Sequence, residues 1–134
     1  MTDSHSTHGI ILLLDSDSTT RAILRDALSD AGYLVATAND LGMAVDRLQE
    51  MPPDLLIVRP YINSMSGHLA ADYLRTKLAG LPVLIVGGFP EDDRLKHTNE
   101  VQKFSSFPPP FRREDLVAKV RELFHAVSRH SGSR

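Results

Sequence analysis

Three short runs in this chain are apolar without interruption: Ile10 to Leu14, Leu55 to Val58, and Val83 to Val86. Unbroken runs of this length predict strands buried on both faces, as in a parallel sheet covered by helices on either side. Between them the spacing changes to the helical period. Ile23, Leu24, Ala27, Leu28 and Ala31 share one predicted helix face, and Leu41, Ala44, Val45, Leu48 and Met51 another. Ala70, Leu74 and Leu78 recur four apart, with Leu69 and Tyr73 beside them. Leu116, Val117, Val120, Leu123, Phe124 and Val127 line a last helix over residues 113–128. Two weaker segments, Tyr33 to Ala38 and Lys103 to Phe107, read as shorter strands, the second edge-like.

The punctuation agrees with this division. Asp15-Ser16-Asp17-Ser18 and Asn39-Asp40 supply oxygen-bearing caps ahead of the first two helices. Gly32, Pro52 and Gly80 close helices. Pro82 stands at the first position of a strand, where a proline is tolerated, and residues 60–66 read as an irregular loop. The segment from Glu91 to Glu100 has Leu95 as its only apolar side chain, so it lacks a stripe with which to dock and is expected to be a short helix at most.

Strand and helix therefore alternate five times. Such units imply an α/β architecture with right-handed crossovers and helices on both faces of a parallel sheet. Five strands favour the flavodoxin-like (βα)5 order 2-1-3-4-5. Neither a GxGxxG turn after the first strand nor a Walker A lysine motif is present. The expected organisation is an N-terminal arm over residues 1–9, one domain over 10–128, and a polar tail over 129–134.

Composition narrows the function classes. The 134 residues are 42% hydrophobic and 24% charged, as in one ordinary globular domain. A formal net charge of -2 gives no strong pull toward nucleic acid or an anionic membrane. The bases Arg112, Arg113, Lys119 and Arg121 are interleaved with Glu114, Asp115 and Glu122, which reads as a solvated helix surface rather than a nucleic-acid reader. With no cysteine there are no disulfides, thiolate metal sites or thiol nucleophiles. His97, His125 and His130 have no partners at ligand spacing, so neither a metal nor another cofactor is expected. Ile10 to Leu14 is too short to span a bilayer and no cationic segment precedes it, so a cytoplasmic location is expected. No nucleophile, base and orienting group converge, so the chain is not expected to be an enzyme.

In open parallel sheets, chemistry gathers beyond the carboxyl ends of the strands. The residue at the end of the central Leu55 to Val58 run is Arg59, which carries five N–H donors and no acceptor. Asp15 ends the neighbouring first strand. Two arrangements stand open: the guanidinium lies over the Asp15 carboxylate as a built-in cation, or it extends to solvent with no fixed partner.

These segments resemble the receiver domain of bacterial two-component response regulators. The resemblance rests on element order and four stretches: Ile11 to Asp15, Pro53 to Arg59, Leu81 to Gly88, and Pro110-Phe111. Met65-Ser66-Gly67 is similar to the family's Met-Asp-Gly. The resemblance implies a phospho-accepting aspartate after the third strand, and an acidic pair after the first strand that shares one Mg²⁺ with it. It also implies a hydroxyl after the fourth strand, a lysine after the fifth and an aromatic residue within the fifth. In this chain Asp15 matches the first acid, while Ser16 replaces the second. Arg59 stands at the acceptor, Gly87 at the hydroxyl, Pro109 at the lysine and Ser106 at the aromatic position. The bond before Pro110 is expected to be cis by the same resemblance.

Phosphoryl transfer needs an acceptor oxygen, a metal and charge stabilisation together. The replacements remove the acceptor and much of the rest, so the expectation is a pseudo-receiver with a degenerate pocket at Asp15, Ser16, Arg59, Gly87 and Pro109. Its expected role is a phosphorylation-independent regulatory module that binds another signalling protein or a second copy of itself. The strand-five face, with Leu95, Phe104, Ser106 and Phe107, is the candidate interaction surface, with the loops around Arg59 as the other. Two alternatives remain: a small-molecule or anion site over Asp15, Arg59 and Gly87, and a residual phosphorelay receiver using another acceptor such as Ser16. The chain is read as a stand-alone regulator or as one piece of a longer protein.

Overall fold

A computed structural model describes residues 9–87, 104–107 and 112–132, with backbone alone over 104–107 and 126–132. In chain order the elements are β1 (Ile10–Leu14), α1 (Ser18–Asp30), β2 (Leu34–Ala38), α2 (Leu41–Glu50) and β3 (Leu55–Val58). These are followed by β4 (Tyr61–Ile62), β5 (Met65–Ser66), α3 (Gly67–Lys77), β6 (Val83–Val86), β7 (Phe104–Phe107) and α4 (Arg113–Gly132).

The five longer strands form one sheet in the order β2-β1-β3-β6-β7, all neighbours parallel. This is the flavodoxin-like order expected from the alternation of elements. Successive side chains on a strand point to opposite faces, so the apolar runs split between two cores. Leu12, Leu14, Leu56, Val58, Val83 and Ile85 face α2 and α3, meeting Ala44, Leu48, Ala70, Ala71 and Leu74. Ile11, Leu13, Leu55, Ile57, Leu84 and Val86 face the opposite layer, meeting Leu24, Leu28, Leu116 and Val120 of α1 and α4. β3 and β6 are buried along their whole length, which is why neither shows alternating polarity. Each buried Leu or Ile contributes about 1.5–3 kcal/mol of transfer free energy, so these strands anchor the fold.

Local chemistry sets the helix starts. The Asp17 carboxylate accepts from the Thr20 N–H at 2.8 Å and the Asp40 carboxylate from the Met43 N–H at 2.8 Å. Each satisfies a donor that the helix itself leaves open. Ser66 caps α3 in the same way, its Oγ accepting from the His68 N–H at 3.1 Å.

Three expectations need correction. Ile23 and Leu69 belong to the apolar pattern of their helices but are 53% and 61% exposed, and Tyr73 is also exposed. The stripe that docks on each helix is narrower than the apolar stripe in the sequence. The loop after β3 is not irregular: Tyr61–Ile62 and Met65–Ser66 pair antiparallel. The turn between them holds Asn63 at φ 57°, a conformation asparagine tolerates better than most residues. α4 extends to Gly132 rather than ending near residue 128. The segment from Glu91 to Glu100, with Leu95, and the Pro109–Pro110 bond lie outside the described residues.

Candidate functional site

The register of the sheet builds the site. Leu14 pairs with Val58, and Val58 with Ile85, so the residues that follow β1, β3 and β6 emerge side by side at the carboxyl edge. Backbone bonds continue past the strand ends. The Asp15 N–H donates to the Ala38 carbonyl at 3.0 Å, and the Arg59 N–H to the Leu14 carbonyl at 3.3 Å. Asp15, Arg59 and Gly87 are therefore held together by the same ladders that order the core.

Asp15 is the only charged residue among the buried ones described, at 2% exposure. Its Oδ1 accepts from the Asp17 N–H at 2.9 Å, and its carbonyl oxygen accepts from Arg21 Nη1 at 2.7 Å. Its Oδ2 is buried with no hydrogen-bond partner. The group facing that oxygen is Arg59, whose Nε lies 3.9 Å away. Burial raises the Asp15 carboxyl above its ordinary range; the Asp17 N–H and the Arg59 charge act in the opposite direction. Asp17 is held below the ordinary range, chiefly by the Thr20 hydroxyl and N–H. It serves as the helix cap that its position ahead of α1 suggested.

Arg59 does not extend freely into solvent. Its side chain is 23% exposed, and Nη1 donates to the Val86 carbonyl oxygen at 3.1 Å. One guanidinium thus spans three strand ends: the acid after β1, its own place after β3, and the last carbonyl of β6. Gly87 sits at φ +88° directly beside it, and a Cβ built there would overlap Nη1. Below, the Gly67 N–H donates to the Pro60 carbonyl at 2.6 Å, and a Cβ at 67 would overlap the Arg59 carbonyl oxygen. The start of α3 is thereby pressed against the backbone that presents Arg59.

Ser16 lies at the rim. Its Oγ accepts from the Asn63 N–H at 3.1 Å, tying the β4–β5 turn to the β1–α1 loop. Pro109 and Leu95 lie outside the described residues. Phe104, Ser106 and Phe107 are placed by backbone in β7, paired with Val83, Ile85 and Val86 at the sheet edge. Among the described residues no three His, Cys, Asp or Glu side chains gather as a metal-holding group. His125 is exposed on α4. No helix among the described residues is long and apolar enough to cross a membrane.

Sequence reasoning missed Arg21, Asn63 and the Val86 carbonyl: Asn63 and Val86 act through their backbone, and the Arg21 guanidinium through the Asp15 carbonyl, so each contact uses a backbone atom that carries no residue signature. Gly67 did carry a signal, in the Met65-Ser66-Gly67 triplet, but its steric role emerges only when α3 meets the end of β3.

The family model described as "Response regulator receiver domain" matches residues 11–121, a span that includes every residue of this site. The chain belongs to that family. Receiver domains are signalling modules rather than enzymes. Among curated relatives, the response regulator MprA of Mycobacterium sp. (strain KMS) is 28% identical over 122 residues, covering 91% of this chain and 53% of the relative. The chain thus spans about half the length of that relative. Among solved structures, the receiver resembles chemotaxis protein CheY4 of Vibrio cholerae at a TM-score of 0.75 and 23% identity, over 84% of this chain and 96% of that one. NtrX from Brucella abortus, in complex with ATP, superposes at 0.78 and 21% identity, over 93% of this receiver and 28% of that chain.

Proposed function

We propose that this receiver is a phosphorylation-independent signalling module whose pocket carries its own cation. The single observation behind this reading is the Arg59 guanidinium, which faces Asp15 Oδ2 and donates to the Val86 carbonyl. In the family resemblance, residue 59 stands where an aspartate takes the phosphoryl group. Arginine offers no lone pair for that bond. Ser16, Gly87 and Pro109 replace the second acid, the hydroxyl and the lysine.

The electrostatics favour the same reading. Mg²⁺ sites generally use one or two carboxylates in near-octahedral oxygen geometry. Here a single buried carboxylate already faces a fixed cation. Two unit charges about 4 Å apart interact by about 4 kcal/mol in a partly solvated protein site, and a divalent ion doubles that repulsion from Arg59. A metal entering beside Asp15 must overcome this or displace the guanidinium.

The module's role on this reading is to bind another signalling protein in one fixed state, with the β7 edge around Phe104, Ser106 and Phe107 as the candidate surface. The anion-site alternative is weaker, because Nη1 of Arg59 is committed to Val86 and a buried carboxylate lies beside it. Adding Mg²⁺ with beryllofluoride, a phosphoryl mimic, tests the proposal. The amide spectrum of the wild-type chain is expected to stay unchanged. Saturable shifts at Asp15 and Gly87 would reject it.

A further inference from the structure

We infer that Gly87 is a positioning residue for Arg59, and that the two positions are interlocked: any side chain at 87 expels the guanidinium from the pocket. The inference deepens the reading above and rests on Arg59 as the resident cation.

The geometry is direct. A Cβ at 87 would overlap Arg59 Nη1 and would lie 3.0 Å from Cζ and 3.2 Å from Nη2. All three atoms belong to the far end of a flexible side chain. The least costly relief is therefore rotation of Arg59 rather than movement of the sheet. Arg59 is 23% exposed and has a route outward. Leaving sacrifices the Nη1 bond to the Val86 carbonyl and the contact with Asp15 Oδ2.

Position 87 thus decides what fills the pocket. With glycine, the chain's own cation occupies it. With any larger residue, the hydroxyl-bearing kind included, the same arginine has no room. An acceptor restored at 59 and a side chain restored at 87 are coupled changes. The second is sterically open only after Arg59 has been shortened.

The positive φ of Gly87 complicates a single substitution, because alanine is strained there whatever the space. A double-mutant cycle removes that contribution. Gly87→Ala is measured in the wild-type chain and in Arg59→Ala, so the backbone strain cancels. Gly87→Ala is expected to lower the folding equilibrium constant about tenfold more with Arg59 present than without it. The Arg59 Nη1–H signal, hydrogen-bonded to the Val86 carbonyl in the wild type, is expected to lose that bond and exchange faster with solvent. Should Gly87→Ala fail to fold, Gly87→Asn tolerates positive φ and carries the same spectroscopic readout. Equal destabilisation in both backgrounds, with the Nη1–H exchange rate unchanged, would overturn the inference. Acetyl-phosphate labelling tests Arg59's effect on phosphorylation separately, so the two readings fail by different results.

Discussion

Arg59 Nε lies 3.9 Å from Asp15 Oδ2, near enough for an ion pair and too far for a hydrogen bond. The guanidinium hydrogen bond goes instead to the Val86 carbonyl. Asp15 thus faces, through space, a cation that the neighbouring strand holds in place, which offsets part of the cost of its burial. Arg59→Ala removes both interactions and leaves the buried carboxylate with Arg21, bonded to its backbone carbonyl, as a remaining but smaller cationic influence. A fully buried pair broken this way costs several kcal/mol and an exposed one under 1, so this partly exposed pair is expected to cost about 2 kcal/mol. Urea unfolding at neutral pH measures it. Unchanged stability would mean that the arginine has no fixed partner in solution.

Asp15 itself is expected to be a stability cost at neutral pH. Its carboxyl is raised above the ordinary 3.8, mainly by burial, so the folded state holds its proton more tightly than the unfolded state. Stability then falls as pH rises from 3.8 through the raised value, and the penalty is complete above it. Asp17, lowered below 3.8, has the opposite sign: its contribution is present above 3.8 and is lost as pH falls through its folded value. Asp15→Asn keeps an oxygen for the Asp17 N–H and removes the titration. It is expected to gain on the wild type as pH rises above 3.8, and to show no such gain below. Paired unfolding midpoints across acid and neutral pH decide this, because the Asp17 contribution cancels between the two chains.

Gly67 and Gly42 make a contrasting pair. A Cβ at 67 would overlap the Arg59 carbonyl oxygen, which is backbone and cannot swing aside. Gly67→Ala is expected to destabilise by about 1–3 kcal/mol and to disturb the Arg59 amide signal. A Cβ at 42 meets only Asp40 Oδ1, at 3.6 Å. Gly42→Ala, inside α2, is expected to stabilise by about 0.5–1 kcal/mol. Thermal unfolding of both variants checks the pair.

Leu13 and Leu56 are fully buried on opposite faces of the sheet. Either one replaced by alanine is expected to cost about 2–5 kcal/mol. Ile23, half of whose surface is exposed, is expected to cost about 0.5 kcal/mol or less when truncated, despite its place in the apolar pattern of α1. Denaturant midpoints of the three variants separate the docked stripe from the merely apolar one.

Much of the architecture was legible because burial on both faces leaves a strand nothing but Leu, Ile and Val, as Leu55 to Val58 shows. Asp17 and Asp40 were readable as caps because that role is local. The two-residue strands Tyr61–Ile62 and Met65–Ser66 were not readable, since strands so short carry no periodicity. Ile23 and Leu69 misled because composition does not reveal which apolar residues lose the competition for the sheet. In the site, the neighbouring positions of Asp15 and Arg59 followed from strand order alone. The direction of the guanidinium did not, because it depends on the Val86 carbonyl and on space left by Gly87. Both are tertiary facts.

The central claim is that residue 59 supplies a cation where a phosphoryl acceptor would stand. Incubation of the full chain with acetyl phosphate and Mg²⁺, followed by intact-mass analysis and peptide mapping, tests it most directly. The expected result is an unmodified chain, with no labile phosphate at any pocket residue. A labile phosphate mapping to the Asp15–Ser16 segment or to the β3–α3 connection would contradict it.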